Sequence, residues 1–334
     1  LWHRQQAGRG DSYGIRFHQK QLVVLLGNKI KSNPSVLEFY EERAKFLILL
    51  DRLDEALADF SKLIELDSLS AHRYTDRAGL LRKIGDTNKA LSDFKAALEL
   101  DPENLDLRRR RGKYYGEIGR LDLAVDDLRQ AFDIDGETIP EGMDWTNIRD
   151  VYQLAFLALL TGDRETYEAS CRRVLLLLKA VPNSEQVALR WNALYFAAWT
   201  CVLANPVGLG ELDWEFLKES LEFLRNGSDR RITTNARLLL AEIRALTGDL
   251  RTAEAELKEI ELPPYNQLFL AGVLARLGQT EKANSYLSLG RKSIQTLREL
   301  QVDRVGSSKI LGPWWPGDAE VADLLAAKVE KILP

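Results

Sequence analysis

Cysteine is almost missing from these 334 residues. Cys171 and Cys201 stand far apart, with no CxxC and no Cys/His spacing around them, so neither a disulfide framework nor a zinc site is indicated. Both lie in apolar helical contexts and are expected to be inert packing residues. Histidine is as sparse: His3, His18 and His72 are scattered, with no HExxH pair and no Ser/His/Asp order that would build a nucleophile. Gly8-Arg9-Gly10-Asp11 fails as a phosphate loop, since no strand precedes it and no Lys-Ser/Thr follows. Its Arg-Gly-Asp tripeptide is read as coincidence. Asp126 and Asp127 are adjacent in a helix and face different ways, so they make no acid/base pair. These absences lead to the expectation of a protein that is not an enzyme and uses no metal or cofactor.

Long apolar runs are missing too. Leu22–Leu26 and Val174–Leu178 are short, against the roughly 18–20 residues a membrane helix needs. A formal net charge of −4 lacks the basic excess of a nucleic-acid binder. There is no signal peptide, and a cytoplasmic location is expected, with no membrane insertion and no nucleic acid. The chain opens at Leu1 without a methionine and is read as a fragment of a longer protein.

What is present is a period of 34 residues. Leu37–Ser70, Ala71–Asn104 and Leu105–Thr138 repeat one pattern. Ala44, Ala78 and Gly112 form one small-residue column, and Ala56, Ala90 and Ala124 a second. Phe60, Phe94 and Leu128 form a large apolar column, and Asp67, Asp101 and Asp135 close each unit. Such a period predicts a helix A, a tight turn and a helix B, with turns at Asp51-Arg52, Gly85-Asp86 and Gly119-Arg120. Arg43, Arg77 and Arg111 recur in step with Asp59, Asp93 and Asp127 at a constant offset, which predicts ion pairs from helix A to helix B rather than a ligand site. The run Arg108-Arg109-Arg110-Arg111 points in all directions on one helix and is read as a solvated face.

Counting back from this register makes Phe17–Lys31 a helix B without its helix A, ending at Pro34. Leu22 takes the small-residue position and Leu26 the large apolar one. Residues 1–16 are expected to be linker or disordered, and 17–138 to hold this orphan helix and the three regular repeats. Gly136–Met143 breaks the register, so 139–147 is expected to be a connector. Looser repeats are expected over 148–300, with turns at Thr161-Gly162-Asp163, Thr247-Gly248-Asp249 and Leu277-Gly278. Between them, Ser184–Leu203 and Leu212–Leu224 form an irregular pair joined by an insertion at Ala204–Glu211. The last part, 301–334, is expected to be a loop and a capping helix from Asp318, wedged by Trp314 and Trp315.

The pairs Arg77-Ala78 and Asp93-Phe94, with their equivalents in the neighbouring units, resemble the bacterial tetratricopeptide repeat (TPR) subtype. The resemblance implies an all-α, right-handed α-α superhelix of about seven repeats, whose concave wall of A helices holds a protein or peptide partner. Mapped onto this register, the wall offers Glu38, Glu41, Lys45, His72, Thr75, Arg82, Arg109, Lys113 and Glu117. The family's carboxylate clamp maps onto Glu41, Lys45, Asp76, Asp106 and Arg110. Three acids there would repel a carboxylate, so a chaperone tail is not the expected partner. Ala198-Trp199-Thr200-Cys201-Val202-Leu203-Ala204, Leu268-Phe269-Leu270-Ala271 and Arg276-Leu277-Gly278 give Asp144–Pro334 a similarity to repeat regions behind bacterial serine/threonine kinase domains and some WD-repeat propellers. Two functions are therefore expected in competition: a non-catalytic interaction scaffold, or a regulatory, substrate-recruiting module of a larger bacterial enzyme such as a serine/threonine kinase.

Overall fold

The computed structural model describes residues 2–136, 138–139, 143–144, 147–180, 187–202, 211–225, 230–258, 264–302, 326–327 and 330–331. Among them there is no strand. A leading helix, α1 (Trp2–Ser32), precedes seven successive pairs. The regular stretch holds α2 (Leu37–Leu49) with α3 (Leu53–Leu66), α4 (Ala71–Ile84) with α5 (Thr87–Leu100), and α6 (Leu105–Glu117) with α7 (Leu121–Ala131). Then come α8 (Ile148–Thr161) with α9 (Arg164–Lys179), α10 (Val187–Val202) with α11 (Glu211–Arg225), α12 (Arg230–Leu246) with α13 (Leu250–Lys258), and α14 (Pro264–Arg276) with α15 (Thr280–Val302). The fold class is all-α, built of repeated helix–turn–helix pairs. Packing divides it into two compact units, Leu1–Tyr114 and Tyr115–Pro334.

The turns fall where the period places them. Asp51, Gly85 and Gly119 have positive φ (62°, 89° and 77°), and so do Gly162, Gly248 and Gly278 in the looser half (77°, 96° and 74°). A left-handed residue ends helix A and sends the chain back along it, and glycine takes that conformation without a Cβ clash. At Gly85 the amides of Gly85 and Asp86 both return to the Leu81 carbonyl. Asp86 then opens helix B, its carboxylate accepting from the Lys89 amide at 3.2 Å. Asp163 does the same for Thr166 at 3.0 Å. Arg52 offers no such side-chain cap to α3.

In the first unit α2 packs on α3 and α4 on α5, and α3 carries the stack to α4. Ala44, Ala56, Ala78 and Ala90 have no exposed surface, which fits a close approach of the paired helices. Two rungs of the expected ladder are present. Arg43 donates through Nε to Asp59 at 2.9 Å and through Nη2 to the other carboxylate oxygen. Arg77 grips Asp93 with two bonds of 2.8 Å and reaches Ser61 at 3.3 Å. Asp59 and Asp93 are 2% and 5% exposed, so each carboxylate depends on its arginine for compensation. Hydrogen bonding to Asp59 and Asp93 raises the pKa of Arg43 and Arg77 against the opposing effect of burial. Asp127 of the third column is also buried, in the second unit.

α1 packs on α2 through Val23 and Ile30, which join Tyr40, Ala44 and Leu47 in one apolar cluster. Leu26 is 3% exposed, as its register position requires, and the helix stops before Pro34. Residues 2–16, read above as linker or disordered, are helical and belong to α1. No proline occurs before Pro34 to end the helix, and Gln5, Gln6, Ala7 and the arginines are good helix formers that offset the cost of Gly8, Gly10 and Gly14.

The second unit has one apolar core running from Ala124 on α7 to Ala326. Cys171 on α9 and Cys201 on α10 are fully buried, burial pushes the Cys201 thiol well up, and Cys171 Sγ lies 3.6 Å from the Thr200 carbonyl. Both behave as packing residues. The expected insertion at Ala204–Glu211 lies outside the described residues except for Glu211, which opens α11. Trp314, Trp315 and the start of the expected cap also lie outside them. Of that cap, Ala326, Ala327 and Glu330 are helical, and Glu330 pairs with Arg291 on α15. No helix of the described residues is long and apolar enough to cross a membrane.

Two stability predictions come from these features. Asp51→Gly should relieve a left-handed aspartate and raise stability by about 0.5–1 kcal/mol, read as a higher denaturation midpoint. Asp93→Ala should cost about 3 kcal/mol, because it strands Arg77, whereas Arg77→Met with Asp93→Leu should cost less than the single change. A double variant less stable than Asp93→Ala would refute the pairing account.

Candidate partner-docking face

The expected wall is carried in the first unit by α2, α4 and the opening turns of α6. On α4, His72 and Asp76 are one turn apart, and His72 Nε2 lies 3.3 Å from the Asp76 carboxylate. On α6, Arg109 and Arg110 both donate to Asp106, Arg110 through Nε at 2.6 Å. Asp76 connects the three helices. Burial raises its pKa, and it also feels His72, Arg110 on α6, and Glu41 and Lys45 on α2. Three of these charges attract it and Glu41 repels it. Side chains from three successive A helices thus come within electrostatic reach of one carboxylate, with Arg110 at the same place in its unit as Asp76.

Arg73 fastens this face from beside it. It donates to Glu41 on α2 at 2.7 Å and to Asp67, at the end of α3, at 3.0 Å. Its side chain is 13% exposed. Burial lowers its pKa, and the bonds to Asp67 and Glu41 more than reverse that. Asp106 shows the mirror case: burial pushes its carboxyl up, and Arg109 and Arg110 hold it below the usual range.

The nine wall residues are not equivalent. Glu38 and Lys45 on α2 and His72 and Arg82 on α4 are exposed. Glu41 is half-buried and held by Arg73. Arg109 is half-buried and held by Asp106, and Lys113 is half-buried. Thr75 is 4% exposed, and its hydroxyl donates to the Ala71 carbonyl one turn back at 2.9 Å, so it packs between helices instead of offering a polar group to the face. Glu117 is half-buried and belongs to the second unit. The sequence-derived list omits Asp76, Arg110 and Arg73, the residues that tie the face together. The available signal was the i, i+4 spacing of His72 with Asp76 and of Asp106 with Arg110. Among the described residues no three His, Cys, Asp or Glu side chains gather where they could hold a metal ion.

Residues 71–104, which are α4 and α5 with their turns, match the family model described as Tetratricopeptide repeat. No curated protein matches the sequence. Among solved structures, the C-terminal part of a TPR repeat-containing protein from Cytophaga hutchinsonii aligns at 15% identity and a TM-score of 0.45, covering 87% of this chain and 95% of that one. A tetratricopeptide repeat protein from Parabacteroides merdae aligns at 14% identity and a TM-score of 0.44, covering 88% and 98%.

The raised pKa of Asp76 sets the sign of a pH effect. A carboxyl that binds its proton more tightly when folded weakens the fold while ionised, and that penalty fades as pH falls through its folded pKa. Asp76→Asn should therefore melt higher than the parent at pH 7. Its advantage should shrink as the pH is lowered through the raised pKa toward the ordinary aspartate range. A variant that melts lower at pH 7 would show that attraction from His72, Arg110 and Lys45 outweighs burial.

Proposed function

We propose that this protein is a non-catalytic scaffold that holds a segment of a partner protein along α2, α4 and the opening of α6. The observation that carries the reading is the meeting of Glu41, Lys45, His72 and Arg110 around the half-buried Asp76. Alternating charge on a face built from three helices suits a partner segment that carries both signs, each group placed opposite its complement. It does not suit a uniformly anionic backbone such as nucleic acid, which favours a basic surface. It does not suit a lone carboxylate terminus either, because Glu41, Asp76 and Asp106 would oppose it. The alternative, a recruiting module of a larger bacterial kinase, would use the same face and differs in what is joined to the chain.

The reading is tested by photo-crosslinking with a probe at Lys45 or His72, and at Lys95 on the exposed side of α5 as control. A partner captured in the native host should link to the first two positions and not to Lys95. Arg82→Glu together with Lys113→Glu should weaken its binding about tenfold, as expected when two rim charges are reversed. Saturable binding unchanged by that pair, or capture at Lys95 alone, would remove this face from consideration.

A further inference from the structure

The second unit contains a buried arginine that the scaffold reading does not use. Arg173 on α9 is 1% exposed. Its Nη2 donates to the Gly136 carbonyl at 2.8 Å and to that of Asp133, and its Nη1 donates to that of Thr138. The guanidinium thus clamps the turn that follows α7. Its Nε is buried with no hydrogen-bond partner. Among the described residues no carboxylate is bonded to it: Asp133 and Asp135 act on it only through space, and burial outweighs them in setting its pKa below the ordinary value. An arginine remains charged even so.

Beside this clamp lies a hollow of about 410 Å³. Ile134, Leu175 and Leu176 give it apolar lining, and Arg172, Arg173 and Lys179 bring three cations to it from one helix. Two carboxylates also line it, and both are engaged. Asp213 is 2.9 Å from Lys179, and Asp135 is 2.9 Å from Arg129. Arg172 is exposed and has no ion-pair partner among the described residues. Among the described lining residues the balance is one positive charge in excess, three cations against two acids, in a chain whose formal net charge is −4. A small site that is part apolar, with a few convergent polar groups, is the usual form of a small-ligand pocket.

We propose that this hollow binds a small amphiphilic carboxylate, its head group taken by Arg172 beside the Arg173 clamp and its apolar body laid against Ile134, Leu175 and Leu176. A medium-chain fatty acid and the free C-terminal residue of a peptide share that chemistry. The site is separate from the face on α2, α4 and α6, so it stands or falls independently of the scaffold reading.

Calorimetric titration of the whole chain tests it, with octanoate as one probe and acetyl-Ala-Leu as the other. Octanamide and the amidated dipeptide are their neutral controls. One or both acids should bind at one site per chain while their neutral counterparts do not. Binding of octanoate alone assigns a lipid-derived acid, and binding of the dipeptide alone assigns a chain terminus. Arg172→Glu, at an exposed position that leaves the clamp intact, should weaken the binding at least about tenfold, with an unchanged melting curve as the check on folding. Arg172→Gln should fall between the two. Failure of both acids to bind, equal binding by the neutral controls, or an affinity unmoved by Arg172→Glu would each overturn the proposal.

Discussion

A helix folds back along its predecessor within two or three residues most readily when one of them takes positive φ, and in this chain that device recurs from pair to pair. Asp51, Gly85, Gly119, Gly162, Gly248 and Gly278 supply it, which is why these positions persist where the rest of the period blurs. Once the reversal is fixed, helix A faces helix B in a set register. The alanines then have to be small, and an arginine on one helix meets an aspartate on the other. The ion pairs follow from the turn in this order. An Arg43–Asp59 pair could not assemble on helices that met at another angle. A buried pair adds little net stability but makes every misaligned packing costly, since it would leave Asp59 or Asp93 uncompensated.

Arginine does three different jobs here, and the surroundings decide which. Arg43 and Arg77 neutralise buried carboxylates within a helix pair. Arg73 bridges two acids across neighbouring pairs and holds Glu41 in place on the exposed face. Arg173 bonds no carboxylate among the described residues and satisfies backbone carbonyls instead. At that clamp a Cβ on Gly136 would come within 2.3 Å of the Asp133 carboxylate and 3.2 Å of the guanidinium, so a larger residue there would require those side chains to shift. The planar guanidinium donates along several directions at once, so it can close a turn whose carbonyls converge from one side, which a lysine could not do.

How much of this was legible in the sequence follows from the range of each interaction. The regular helix pairs, their turns and the two ion-pair rungs could be read because each is fixed by residues within one 34-residue unit. The looser turns at Gly162, Gly248 and Gly278 were legible for the same reason. The helical state of residues 2–16 was not, because a polar segment without apolar period carries no packing signal, only propensity. The geometry of the proposed docking face was legible in part. Its positions followed from the register, but the burial of Thr75 and the role of Asp76 depend on neighbours contributed by other repeats. Arg173 was invisible in the run Cys171-Arg172-Arg173-Val174, since its partners lie 35 to 40 residues upstream in a turn that breaks the period.

The repeat itself suggests where specificity can reside. The column Arg43, Arg77, Arg111 does not vary in the sequence, and Arg43 and Arg77 each answer to an aspartate on their helix B. One residue before it, the column runs Glu42, Asp76, Arg110, and the column four residues earlier runs Glu38, His72, Asp106. These positions are on the same helices and within about a turn and a half of the fixed arginines, yet their charge changes from unit to unit. The packing of helix A on helix B does not fix their charge, so their chemistry is free to be set by whatever lies against the face. A period that uses up its alanines, turn residues and paired arginines leaves the residues between them as the part of the surface able to discriminate among partners.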